Sequence, residues 1–132
     1  MKGKTMKKKQ QLAKERKLYL FNNTNDKGYV YIFSSPAFKK WIKVGKTYDV
    51  KRRLEQFNYS MPLKNFKIEC VKETKNKSVA ELLILNKVYK EVGIERKGEW
   101  IKVNDKQKAI EIFKKHKNRK VTQKDRELNY GV

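Results

Sequence analysis

From Gly28 to Phe33 the chain reads Gly-Tyr-Val-Tyr-Ile-Phe, a run of β-branched and aromatic residues that predicts a strand. Asn25-Asp26-Lys27 leads into it as turn chemistry, and Ser34-Ser35-Pro36 ends it. Trp41-Ile42-Lys43-Val44-Gly45 predicts a second strand, paired with the first as an antiparallel hairpin. Thr47 or Asp49 then caps a short helix over 50–57, with Leu54 and Phe57 turned to the core and Lys51, Arg52 and Glu55 turned away. Pro62 lies in a loop. Residues 66–72 alternate in polarity and predict a third strand, in which Cys70 is a small hydrophobe.

Residues 78–91 form the strongest helical pattern, with Leu82, Leu85, Val88 and Tyr89 recurring at helical spacing. Ser78 and Glu81 have the spacing of a capping box, and Gly93 ends the helix. Gly98 to Val103 reads as a short strand or extended segment, with Trp100 as a core anchor. Asn104 opens a last helix, with Gln107 as its capping partner, running to about His116. The order implies an α/β (α+β) domain: a small central antiparallel three-stranded sheet flanked by helices. On this reading residues 1–27 are a basic arm, 28–116 the folded domain and 117–132 a loose basic tail.

Charge changes the picture. The chain has 132 residues and a formal net charge of +21. The two ends are its most basic parts, while the aromatic residues gather in the middle. Such a charge calls for a polyanionic partner, nucleic acid before an anionic membrane. Lys7, Lys8, Lys9 and Arg16, on an N-terminal stretch rich in helix formers, are candidates for phosphate contact, as are Lys46 and Arg52. A single cysteine excludes a disulfide framework or zinc finger, and a single histidine excludes a Ser-His-Asp triad or multi-histidine metal site. No apolar run is long enough for a membrane span, and the N-terminus lacks the apolar stretch of a signal peptide. An intracellular, soluble protein is expected, in a cytoplasm or a host-cell interior. Lys46-Thr47 after Gly45 lacks the glycine-rich loop an NTP site needs.

Five features fall in order along the chain. They are Tyr-Val-Tyr at 29–31, Lys-Val-Gly-Lys-Thr at 43–47, Arg52-Arg53-Leu54, the acidic Glu81 early in a helix, and Gly-Glu-Trp-Ile at 98–101. Together they resemble the GIY-YIG nuclease superfamily over roughly residues 28–103, and most of all its phage-type DNA-binding branch, related to the meiotically up-regulated group. The resemblance implies a GIY-YIG-like fold and metal-dependent hydrolysis of phosphodiester bonds. It implies that Tyr31 helps position the attacking water and that Gly45 lets the backbone approach closely. Arg53, eight residues after Gly45, would clamp the scissile phosphate with paired hydrogen bonds. Glu81 would hold a divalent cation, magnesium (Mg2+) or manganese (Mn2+). Lys43 stands where other members carry the tyrosine of the second motif, and would act as a cation or proton donor near the phosphate. Leu85 stands where members of this branch often place a histidine. Asn86 is a candidate for the family's asparagine.

Each of these residues also has a plainer reading. Tyr31 fits an ordinary core, Arg53 a solvated helix face, and Glu81 a capping box. Three functions therefore stand beside one another. One is a DNA endonuclease using Tyr31, Lys43, Arg53 and Glu81. The second is a non-catalytic DNA-binding module that keeps the nuclease fold, and the third is a basic RNA-binding protein.

Overall fold

The computed structural model describes residues 26–130. Of the expected N-terminal arm, residues 1–25, with Lys7, Lys8, Lys9 and Arg16, lie outside the described residues. Among the described residues five strands form one sheet: β1 (Gly28–Ser34), β2 (Trp41–Thr47), β3 (Lys67–Thr74), β4 (Gly93–Lys97) and β5 (Trp100–Val103). Their order is β3-β1-β2-β5-β4, and every pairing is antiparallel. Among the described residues four α-helices accompany them: α1 (Val50–Ser60), α2 (Lys77–Val92), α3 (Lys106–Lys115) and α4 (Gln123–Tyr130). Among the described residues no helix is long and apolar enough to cross a membrane.

The class is mixed α+β, as expected, but the sheet has five strands rather than three. The 98–103 segment is a full member of the sheet, and β4 follows directly on α2. Gly93 ends that helix by going straight into extended backbone (φ −76°, ψ 136°) rather than through a left-handed turn. A Cβ there would stand 2.6 Å from the Tyr89 carbonyl oxygen, so only glycine permits the close reversal.

Alternation along β1 and β2 assigns the two faces of the sheet. Val30, Ile32, Ile42 and Val44 join Ile101 and Val103 beneath Ile84, Leu85 and Val88 of α2 and Phe113 of α3, and form the main core. Tyr31 and Phe33 point the other way, toward Phe57 of α1. Both faces of β1 are thus covered, which is why it reads as a continuous apolar run. Lys72 of β3 fastens α3 from below. Its Nζ donates to the carbonyls of Phe113 (2.8 Å), Lys114 (3.1 Å) and His116 (3.0 Å) at the C-terminal end of that helix, where a cation is favoured.

The caps differ in detail from the sequence reading. Asp49 caps α1, accepting from the Arg52 N–H at 3.1 Å. Asn76, not Ser78, caps α2, and accepts from Val79 N–H at 3.1 Å. Asp105, not Asn104, caps α3. Ser78 lies inside the first turn of α2, where its N–H and hydroxyl both donate to the Asp26 carboxylate. Glu81 is therefore not half of a capping box.

Residues 117–130 are not loose. Val121 is buried with Val79, Leu82 and Leu83 of α2, and the following helix packs on that face. Thr122 and Asp125 form a reciprocal cap: the Asp125 N–H donates to the Thr122 hydroxyl (3.3 Å), and the Thr122 N–H donates to the Asp125 carboxylate (2.9 Å). Arg119 holds the same carboxylate bidentately at 2.7 and 2.8 Å. That guanidinium keeps Asp125 well below the ordinary carboxylate range.

Candidate functional site

The site forms where β2 outruns β5. The two strands pair only from Trp41 to Lys43, so the last residues of β2, Gly45 to Thr47, have no β5 partner. Tyr31 on β1 pairs across to Gly45, and its ring lies directly over that residue. It also stacks on Phe33, with ring centres 3.8 Å apart. Tyr31 is 1% exposed. Burial raises its phenol pKa, and the Arg53 guanidinium, acting by hydrogen bonding and charge, pulls part of that rise back.

Arg53 reaches this position from α1, held over the Phe57 ring with its guanidinium carbon 5.2 Å from the ring centre. Lys43 approaches the same ring from β2, its Nζ 5.9 Å from the centre. Lys43 is almost fully buried and forms an ion pair with Glu99, which lies in the turn before β5. Glu99 in turn neighbours Glu81 of α2. Two carboxyl groups therefore meet beside two lysines, because Lys46 also acts on Glu81 while donating to Ser78 Oγ at 3.2 Å.

Glu81 is the unusual member. It is 8% exposed, and its Oε2 is fully buried without a hydrogen-bond partner among the described residues. Burial first, and then the neighbouring Glu99, push its carboxyl up to about 7 against the opposing charges of Lys46 and Lys43. The Glu81 carboxyl shares a hydrogen bond with Glu99, so Oε2 alone is left without a partner, at a cost in free energy.

The structure thus brings Tyr31, Lys43, Lys46, Arg53 and Glu81 together. Arg52 is exposed on α1 and takes no part in these contacts. Asn86 is not in the cluster: its Nδ2 donates to the Asp125 carbonyl at 2.9 Å and so holds α4. Two members of the cluster carry no role in the sequence reading. Glu99 lies inside the quoted Gly-Glu-Trp-Ile segment, and only the turn between β4 and β5 returns it toward Glu81. Arg96 belongs to β4, whose pairing the sequence does not predict; its charge acts with both glutamates, and its Nε donates to the Gly98 carbonyl at 2.7 Å.

Among the described residues no group of three or more His, Cys, Asp or Glu could enclose a metal. Among the described residues the carboxylates of the cluster are those of Glu81 and Glu99. That suits magnesium, which takes one or two carboxylates and keeps most of its waters, and does not suit a fully protein-ligated ion.

A family model described as the T5orf172 domain matches residues 28–117. The chain belongs to this family. The T5orf172 domain is a phage-associated domain related to GIY-YIG/HNH-like nuclease-type folds. Its match runs from the first residue of β1 to just past α3, so it includes every member of the cluster and leaves out α4. Membership points to a nuclease-type or DNA-binding role. No curated protein and no solved structure matches the chain.

Proposed function

We propose that the protein is a metal-dependent DNA endonuclease of the GIY-YIG type, with Tyr31, Lys43, Arg53 and Glu81 at its centre. The observation that carries this reading is the buried, unpartnered Oε2 of Glu81, set beside Glu99 and ringed by cations. A module that only binds DNA gains nothing from carboxylates placed where phosphates must approach.

Glu81, with Glu99 as second carboxylate, would hold the magnesium or manganese ion. Such an ion polarises a phosphoryl oxygen and offsets the charge that develops as the phosphodiester is attacked. Arg53 would hold the non-bridging oxygens of the same phosphate, since guanidinium geometry matches them and α1 leaves this side chain exposed. The Tyr31 hydroxyl, rigid in its stack on Phe33, would orient the attacking water. Lys43 sits close enough to the same ring system to neutralise the second carboxylate until substrate arrives.

The test is plasmid cleavage with magnesium or manganese, using wild type and Glu81→Ala. Wild type should nick or cut, and Glu81→Ala should not, while Glu81→Ala binds metal-free DNA at least as tightly because one negative charge is gone. Binding without cleavage of any plasmid or single-stranded substrate would leave the non-catalytic DNA-binding module as the function. A Glu81→Ala variant that cleaves like wild type would remove the metal from this position.

A further inference from the structure

Trp100 is not the buried anchor its sequence context suggests. It is only partly buried and lines an open hollow of about 400 Å³, together with Phe38, Trp41 and Phe66. Lys64 and Lys97 stand at its sides. The Lys64 ammonium lies 4.4 Å from the centre of the Phe38 ring, and that of Lys97 lies 5.9 Å from the centre of the Trp41 ring. The volume falls in the range of small-ligand clefts.

The hollow adjoins the Glu81–Glu99 cluster. Trp100 follows Glu99 in the chain and pairs with Lys43 across the sheet. The rings are also continuous. From Tyr31 they pass through Phe33, Phe57 and Phe66 to Trp100, with no step longer than the 5.9 Å between Phe66 and Trp100. Phe66 is buried, but the partly exposed faces of Phe38, Trp41 and Trp100 leave a concave aromatic surface that a flat apolar group would cover. The lysines beside them select a flat group that carries negative charge nearby. A nucleotide has both parts: a π-face for the tryptophans and flanking phosphates for Lys64 and Lys97.

We infer that this hollow receives a single unpaired nucleobase, stacked against Trp41 and Trp100, so that the preferred substrate is DNA with an extruded nucleotide rather than a perfect duplex. The inference rests on the nucleic-acid reading above, not on cleavage. A base can reach such a hollow only out of the stack, and an unpaired base makes that transfer cheapest.

Both tryptophans of the chain line the hollow, so intrinsic tryptophan fluorescence reports on it alone. The experiment uses the full chain in chelator, so that nothing is cut. Three oligonucleotides are compared: a perfect duplex, the same duplex with one extra unpaired base, and the same bulge lacking its base. The base-containing bulge should bind about tenfold or more tighter than the other two and should quench tryptophan emission more strongly. Trp41→Ala, shown folded by circular dichroism, should lose that preference and keep its affinity for the perfect duplex. Equal affinity for the two bulges overturns the proposal while leaving DNA binding intact. Binding of none of the three overturns this inference and the nucleic-acid reading together. The wild-type comparison decides the matter even if the variant fails to fold.

Discussion

The Tyr31 ring rests directly on Gly45, its cross-strand partner: a Cβ built at Gly45 would stand 2.2 Å from the phenol oxygen and 2.3 Å from the ring carbon that bears it. The glycine is thus the floor of the tyrosine's seat. Gly45→Ala should push the ring away from Arg53 and abolish cleavage, at a stability cost of about 1–3 kcal/mol from overpacking. Gly45→Ala combined with Tyr31→Ala should lose less stability than the two single changes added together, because the clash disappears with the ring. Chemical denaturation of the four proteins measures this coupling, and strict additivity would show that the contact does not set the position of Tyr31.

Glu81 should make stability depend on pH in an uncommon direction. Its carboxyl is raised from 4.5 to about 7 by burial and by Glu99, so the folded state holds a proton the unfolded chain has released. The stabilisation is fully present below about pH 4.5 and is lost as pH rises through about 7. Glu81→Gln keeps the shape and cannot ionise. In chelator it should match wild type near pH 4.5 and exceed it above pH 7, by up to about 3 kcal/mol. Denaturant midpoints at the two pH values provide the measurement, and an equal offset at both would contradict the linkage.

DNA affinity should fall steeply with salt. The chain carries +21, and within that total the cluster sets Lys43, Lys46, Arg53 and Arg96 around Glu81 and Glu99. With about six phosphates contacted, log affinity should decline against log salt with a slope of about −5. Deleting residues 1–17 should reduce the slope and weaken binding to all sequences alike. A slope near zero in the full chain would remove the electrostatic basis of binding.

What the sequence makes legible follows from which forces are local. The hairpin of β1 and β2, the start of α1 and the length of α2 announce themselves by alternation, by Asp49 and by helical spacing. Tyr31, Gly45, Arg53 and Glu81 fall together because the hairpin and two helix starts fix them within short stretches. The membership of β4 and β5 in the sheet depends on pairing between β2 and β5 across more than fifty residues, which no local pattern reports. Glu99 and Arg96 go unrecognised for the same reason. Helix α4 is different. Its reciprocal cap, Thr122 with Asp125, is a local signal present in the sequence and hidden by the surrounding charge. Trp100 shows the limit of hydrophobicity as a guide, since a large aromatic residue serves an open hollow as readily as a core.

Arg53 gives the last prediction, because its two roles separate experimentally. As the proposed phosphate clamp it would matter most once charge accumulates in the transition state, so Arg53→Ala should slow cleavage by about a hundredfold or more and weaken DNA binding far less. As the neighbour of Tyr31 it restrains a phenol that burial already pushes up. Removing the guanidinium should raise the Tyr31 pKa further, a change that NMR titration of the assigned ring detects with no DNA present. Arg53→Lys should restore part of the charge effect on Tyr31 but little of the cleavage, because an ammonium cannot make the paired hydrogen bonds of a guanidinium. A variant in which cleavage and DNA binding fall by the same factor would make Arg53 a binding residue only. An unmoved Tyr31 titration in Arg53→Ala would show that the two side chains do not act on each other in solution.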